Sequence, residues 1–339
     1  MSSNTPRIIK IGSRNSKLAL IQTEIVIAEL NSHFPHLIFE VTSMATNGDK
    51  ILDKPLSSIG AKSLWVKELE ELLLEGSVDL IVHSLKDIPT QLPAGCRVDT
   101  ILAREDPRDV VVMKAGSTYT DISQLPPGSV IGTSSVRRSA QLTRAYPHLK
   151  FENIRGNIGT RLSKLDDPEK PYACLVLAAA GLLRLGLDLR ITQYLSPPTV
   201  FHAVGQGALG AETRTEDWEI EVLVEKLIHK PTHLKCIAER SLMRTLEGGC
   251  SVPIGVDTKF VGGDESTDPV TQPKQMQMAA TVVAVDGMKA STVDVTSKED
   301  VQSVDEAEEF GREVARRLIE EGAGEILKAI ELNRAVVGA

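Results

Sequence analysis

Short β-branched runs alternate with helical patterns through the first half of this chain, and no other feature restricts its fold so much. Residues 7–12 (Arg-Ile-Ile-Lys-Ile-Gly) read as a strand, followed by a helix over about 16–31. Further strands are expected at 38–43, 78–83 and 110–113, with a helix over 64–75. Residues 130–132 lead into a helix over about 135–146, 150–154 into another from about 157, and 174–178 make a third strand–helix junction. Such alternation predicts α/β lobes with largely parallel sheets, in which a ligand sits beyond the carboxyl ends of the strands. After residue 254 the pattern changes. Residues 278–285 and 292–296 alternate like strands, 304–321 reads as an acidic amphipathic helix, and 262–275 as a polar loop. This last region is expected to be α+β.

A chain of 339 residues exceeds what one hydrophobic core usually supports. Leu125-Pro126-Pro127-Gly128 and Ser196-Pro197-Pro198-Thr199 are breaker-rich connections. The glycines of Ala203-Val204-Gly205-Gln206-Gly207-Ala208-Leu209-Gly210 suit a sharp crossover between domains. Cys96, Cys174, Cys236 and Cys250 form no CxxC pair, which fits neither a disulfide framework nor a zinc site; no metal is expected, and a reducing compartment is. Residues 1–10 lack the apolar core of a signal peptide, and the apolar stretch 173–183 is too short to cross a bilayer. A cytoplasmic chain without membrane association is the expectation.

The net charge is −8, but it is unevenly spread. Between Val130 and Leu165 stand Arg137, Arg138, Arg144, Lys150, Arg155, Arg161 and Lys164, opposed only by Glu152. A basic segment inside an acidic protein points to a specific anionic ligand more than to general attraction for nucleic acid. Aromatic content of 4% also argues against a base-stacking surface.

Three junctions share one design, in which a strand ends, hydroxyl or glycine residues follow, and basic residues open a helix. They are Gly12-Ser13-Arg14-Asn15-Ser16-Lys17, Gly132-Thr133-Ser134-Ser135-Val136-Arg137-Arg138, and Ile154-Arg155-Gly156-Asn157 with Arg161 one turn further on. Each is either a plain N-cap with solvated arginines or an anion site at a helix N-terminus. Three on successive strand ends favour convergence on one cleft. Val82-His83-Ser84-Leu85-Lys86-Asp87-Ile88-Pro89-Thr90 delivers a carboxylate at a strand end, as an acid–base centre or as the cap of the next helix. Ser57-Ser58-Ile59-Gly60-Ala61-Lys62-Ser63-Leu64-Trp65 is a lid or a plain surface loop. Residues 239–246 read as an amphipathic helix that stops at Gly248-Gly249 and presents Cys250 before Pro253. Spacing leaves that thiol either exposed and reactive or buried behind a helix cap.

Together these segments resemble the porphobilinogen deaminase (hydroxymethylbilane synthase) family of haem biosynthesis. The match includes Thr46-Asn47-Gly48-Asp49-Lys50, His83 to Thr90, Gly132-Thr133-Ser134-Ser135, Arg155-Gly156-Asn157, Val204-Gly205-Gln206-Gly207-Ala208 and Glu247-Gly248-Gly249-Cys250-Ser251-Val252-Pro253. The resemblance implies two α/β lobes like those of type II periplasmic binding proteins, with parallel-dominated mixed sheets, and a smaller C-terminal α+β domain. The implied division is 1–104 with 205–228, 105–204, and 229–339. It also implies a dipyrromethane primer held by a thioether at Cys250. Four porphobilinogen units would be added to it in turn, each losing ammonia, before hydrolysis releases hydroxymethylbilane.

In that family reading Asp87 is the main catalytic residue, hydrogen-bonding pyrrole N–H groups and stabilising the azafulvene cation. Arg14, Arg137, Arg138, Arg155, Arg161 and Arg184 would bind the acetate and propionate groups. Ser13, Ser84, Lys86, Thr133, Ser134, Ser135, Gly156 and Asn157 would supplement them, with Lys17 and Gln22 at the same cleft and Lys62 in the lid. Trp65 stands where Phe is expected. No nucleic acid or membrane partner is implied, and a monomer is. The rivals are a non-catalytic anion-binding module of the same two-lobed fold, which gives Cys250 no task, and a nucleic-acid-binding protein using the 130–165 segment.

Overall fold

The computed structural model describes residues 7–44, 66–246, 252–262, 268, 269, 271, 272 and 274–337. The first lobe opens with β1 (Ile8–Arg14), α1 (Lys17–His33), β2 (Ile38–Met44), α2 (Lys67–Leu74), β3 (Leu80–Ser84) and β4 (Cys96–Ile101). The chain then crosses into β5 (Asp109–Met113), β6 (Val130–Gly132), α3 (Val136–Ala145), β7 (Lys150–Glu152), α4 (Ile158–Asp166), β8 (Tyr172–Ala178), α5 (Ala179–Arg184) and β9 (Gln193–Leu195). It returns through β10 (Leu209–Arg214) and α6 (Trp218–Glu225). A C-terminal unit follows, with α7 (Lys230–Thr245), β11 (Ile254–Phe260), β12 (Gln275–Val283), β13 (Ala290–Asp300), α8 (Val304–Glu320) and α9 (Ala323–Val337).

The strand order is β2-β1-β3-β10-β4 in the first sheet and β7-β6-β8-β5-β9 in the second, while β11-β12-β13 form a separate sheet. In the first, β1 runs parallel to β2 and β3, and β10 runs antiparallel to β3 and β4. In the second, β6 runs parallel to β7 and β8, and β5 antiparallel to β8 and β9. Both antiparallel strands are the first after a crossover. They enter from the cleft side and so run opposite to the strands that finish there. The fold is α/β with mixed sheets in two lobes and a small C-terminal domain.

Period-two alternation explains why each lobe sheet is covered on both faces. Leu80 and Val82 of β3 pack with Val26 and Leu30 of α1, while Val78 and Ile81 face Leu69 and Leu73 of α2. In the second sheet Val111 and Met113 meet Leu142 of α3, and Val110 and Val112 meet Leu162 and Leu165 of α4. Burying each such side chain contributes about 1.5–3 kcal/mol. Where α8 crosses α7 the backbones touch, since a Cβ on Gly311 would lie 2.2 Å from the Ala238 carbonyl oxygen.

Several expectations are adjusted. The 64–75 helix spans Lys67–Leu74, the 239–246 helix is the tail of the longer α7, and strand β12 claims the end of the polar 262–275 loop.

Beneath the first sheet lies a buried acidic cluster. Glu212 of β10 is held by His83 of β3 at 2.9 Å, with Glu70 of α2 and Cys96 of β4 against it. Burial, then the Glu212 and Glu71 charges, raises the Glu70 carboxyl to about 7. The unfolded carboxyl ionises near 4.5, so the folded state binds the extra proton between these values. Its stabilising contribution is complete below about pH 4.5 and is lost as pH rises toward 7. Glu70→Gln is therefore expected to flatten this decline and to gain on the order of 2 kcal/mol at pH 8. Urea midpoints across pH 4–8 check it, and an unchanged slope would refute the attribution.

Candidate active site

The lobes are joined by two adjacent crossovers. The Leu102 and Glu105 amides donate to the Leu209 and Gly207 carbonyls at 3.1 and 3.2 Å. Gly207 has φ +89°, and a Cβ there would stand 2.2 Å from the Glu105 carbonyl oxygen, so only glycine lets the two strands approach. Beside them β3 ends in a 3-10 turn, Leu85–Asp87, anchored by buried Leu85, whose amide donates to the Ala208 carbonyl at 3.0 Å. The turn leaves Lys86 half-buried and Asp87 exposed at the cleft.

Asp109, fully buried where β5 begins, gathers two of the second lobe's cations, Arg137 and Arg138. Arg137 Nη1 donates to Asp109 Oδ2 at 2.7 Å and to the Phe201 carbonyl at 2.5 Å. Arg138 Nε donates to Asp109 Oδ1 at 2.9 Å, and its Nη1 to the Val176 carbonyl at 3.0 Å. Burial alone would push the Asp109 carboxyl up, but the two guanidiniums hold it well below the usual carboxylate range. Gln206 joins the lobes: its Nε2 donates to Asp109 Oδ1 at 2.9 Å, and its Oε1 accepts from Lys86 Nζ at 3.3 Å. Burial lowers the Lys86 ammonium to about 8 against the opposing pull of Asp87, with Arg138 adding repulsion.

All three predicted junctions are N-caps, and they converge as well. Ser16 accepts from the Ala19 amide at 3.2 Å, Ser135 from the Arg138 amide at 3.4 Å, and Asn157 Oδ1 from the Thr160 amide at 2.8 Å. Ser134 donates to the Ile154 carbonyl, tying the second junction to the third, and Thr133 Oγ1 accepts from the Ser135 amide. The Cβ side of Gly181 in α5 faces both Ile158 of α4 and Leu18 of α1, which places the start of the third helix near that of the first across the lobes. Arg161 Nε donates to the Gly156 carbonyl at 2.7 Å. Burial, then repulsion from Arg138 and Arg155, lowers Arg161 to about 10, and Asp87 is the charge that offsets it.

The remaining residues line the same region. Gln22 donates to Ser84 Oγ at 2.8 Å, and buried Ser13 accepts from Thr23 at 2.9 Å. Arg14 ends β1 half-buried, and Lys17 opens α1 exposed. Burial lowers Arg155 and Arg184; Arg184 donates to the Gly207 carbonyl at 2.7 Å. Lys62 and Cys250 lie outside the described residues.

Residues 9–222 match the family model described as porphobilinogen deaminase, dipyromethane cofactor binding domain, and 233–320 match the porphobilinogen deaminase C-terminal domain. The porphobilinogen deaminase of Yarrowia lipolytica is 52% identical, over 98% of this chain and 95% of that one. That of Saccharomyces cerevisiae is 47% identical, over 97% and 99%.

The chain belongs to the porphobilinogen deaminase family.

Among solved structures, the methionine binding protein MetQ aligns with TM-score 0.42 and 12% identity, over 68% of this chain and 91% of that one. The periplasmic aliphatic sulphonate binding protein SsuA from Escherichia coli aligns with TM-score 0.39 and 12% identity, over 72% and 71%. The porphobilinogen deaminase cofactor-domain match spans the whole cleft, and the C-terminal match spans position 250. The donor set fits dipyrromethane, a polycarboxylate: guanidiniums whose charge is disfavoured by burial and by one another are stabilised when an anion joins them.

The sequence reading missed Asp109 and Gln206. A lone Asp opening the apolar run Val110-Val111-Val112-Met113 was the available signal for the first, because a charge there needs a buried partner. Arg137 is thus bound into the core of its own lobe, where it faces Asp109 and the Phe201 carbonyl. Arg137→Gln is expected to lower unfolding free energy by about 3 kcal/mol, because it strips one partner from a buried charge. Urea denaturation measures this, and a midpoint equal to the parent's would mean that Arg138 alone neutralises Asp109.

Proposed function

We propose that this chain is a hydroxymethylbilane synthase: it condenses four porphobilinogen molecules with loss of ammonia and releases the linear tetrapyrrole by hydrolysis. The observation that carries the reading is the exposed Asp87 carboxylate at the end of the β3 turn, near enough for its charge to act on Lys86 beside it and on Arg161 of the other lobe. When bound, dipyrromethane supplies the pyrrole carbon to which the first new unit is joined.

Cys250 is the attachment residue in this reading. The other three cysteines are buried, and burial pushes each thiol up to about 12, which leaves them poor nucleophiles. Arg155, Arg161, Arg184 and Arg14 hold acetate and propionate carboxylates through bidentate N–H pairs. Arg138, whose nitrogens already face Asp109, Val176 and Gln206, contributes its charge. Asp87 accepts pyrrole N–H hydrogen bonds. As the carbon–nitrogen bond of porphobilinogen breaks and ammonia leaves, its carboxylate stabilises the azafulvene cation that develops. Loss of the ring proton after carbon–carbon bond formation restores the aromatic pyrrole, with Asp87 in position to take it. Gln22, Ser84, Ser13, Thr133, Asn157 and Lys17 line the path of the side chains, and Lys62 is assigned to a lid in this reading.

The same reading divides the chain at 104/105, 204/205 and 228/229 and places a monomer in the cytoplasm. The test is chemical. Incubation with porphobilinogen should consume it and release one ammonia per unit joined, and the intact protein should carry the mass of two linked pyrroles on the Cys250 peptide. A protein of bare polypeptide mass that leaves porphobilinogen untouched refutes the proposal.

A further inference from the structure

Helix α7 lies under the Asp87 turn. Its Cys236 and Ile237 pack against Leu85, Ile88, Val98 and Ile101. One helical turn further, buried Arg240 reaches the same backbone. Its Nη1 donates to the Ile88 carbonyl at 3.1 Å and its Nη2 to the Pro89 carbonyl at 2.7 Å. These are the first two carbonyls after Asp87, where the chain leaves the 3-10 turn. The preceding residue, Glu239, accepts from Arg104 at 2.7 and 2.9 Å and from the Gly205 amide at 2.8 Å. Two consecutive residues of one helix therefore grip the crossover and the exit of the Asp87 turn.

We propose that Arg240 is a positioning residue for Asp87: its forked guanidinium fixes where the carboxylate stands relative to α7, the helix that ends at Thr245, five residues before Cys250 in the sequence. The inference rests on the reading of Asp87 as the catalytic residue. A guanidinium suits the task because one rigid plane presents two parallel N–H donors to two neighbouring acceptors, whereas an ammonium is a point donor on a flexible stem. Without the clamp the turn keeps its apolar anchor at Leu85 but loses the bonds that set its exit. A displacement of about 1 Å at a reacting group costs on the order of 10²-fold in rate.

The test compares Arg240→Met and Arg240→Lys, each made in the full-length primer-loaded parent and in Asp87→Asn. Turnover of porphobilinogen, KM and urea midpoint are measured for all. In the parent, Arg240→Met should lower kcat by roughly 30- to 100-fold with KM within about 3-fold, and Arg240→Lys should fall between the two. In Asp87→Asn the further loss should shrink to less than about 3-fold, because the carboxylate that Arg240 places is already gone. An equal factor in both backgrounds, or a lowered midpoint with kcat intact, overturns the inference while leaving Asp87 its role. High activity of Asp87→Asn alone faults the underlying reading instead. Should Arg240→Met fail to fold, Arg240→Lys carries the same comparison.

Discussion

Asp87→Asn is expected to lower kcat for porphobilinogen by roughly 10²- to 10⁴-fold while leaving the urea midpoint near that of the parent. The carboxamide keeps the size and one acceptor of the carboxylate but removes both its charge and its basicity. Asp87 is exposed and packs no core, so a substitution there shifts stability by about 0.5 kcal/mol at most. The surrounding cations respond. With Asp87 neutral, the charge that offsets the repulsion of Arg138 and Arg155 on Arg161 is gone, and a polycarboxylate should bind at least as tightly. The variant should thus hold its primer and its substrate and fail at the chemical step. Single-turnover measurements with primer-loaded protein make the comparison, and a kcat within about 3-fold of the parent would remove Asp87 from the mechanism.

Cys250→Ser should abolish attachment altogether. A serine hydroxyl is scarcely ionised at neutral pH and is a far weaker nucleophile than a thiolate, so no stable link should form. Intact mass after incubation with porphobilinogen should show bare polypeptide, and turnover should vanish with it. Retention of the extra mass would move the attachment elsewhere, and Cys96, Cys174 and Cys236 are too buried to receive it without unfolding. The Arg240 variants differ in kind, since they should keep the primer and lose rate.

What the sequence discloses here depends on whether the physics is local. β1, β3, β5 and β8 are apolar runs bounded by turn formers, and reading them as strands needs only neighbours in the chain. β10 escaped notice because Leu-Gly-Ala-Glu-Thr-Arg has low strand propensity; burial between β3 and β4, with Glu212 bonded to His83, makes it a strand. The three basic junctions were legible as helix starts with anion-binding character. Their meeting was not, because it depends on contacts between segments far apart in the chain, such as those of Ile158 and Leu18 with Gly181. Arg137 and Arg138 were legible as cations, whereas their bond to Asp109 joins distant segments. Arg240 gave only a place on the 239–246 helix; its partners, the Ile88 and Pro89 carbonyls, are backbone atoms that no side-chain pattern reveals.

The paired crossovers have a mechanical consequence. Two hydrogen-bonded ribbons side by side, one with a glycine pressed against its neighbour, resist stretching and sliding but tolerate bending. Any widening between the lobes is then a rotation, whose sweep grows with distance from the ribbons. Lys86, tied to Gln206 beside that axis, travels little, while the outer lip of the crevice travels most. On the proposed chemistry, a lengthening guest would gain room at the lip without carrying the acidic turn away from its post.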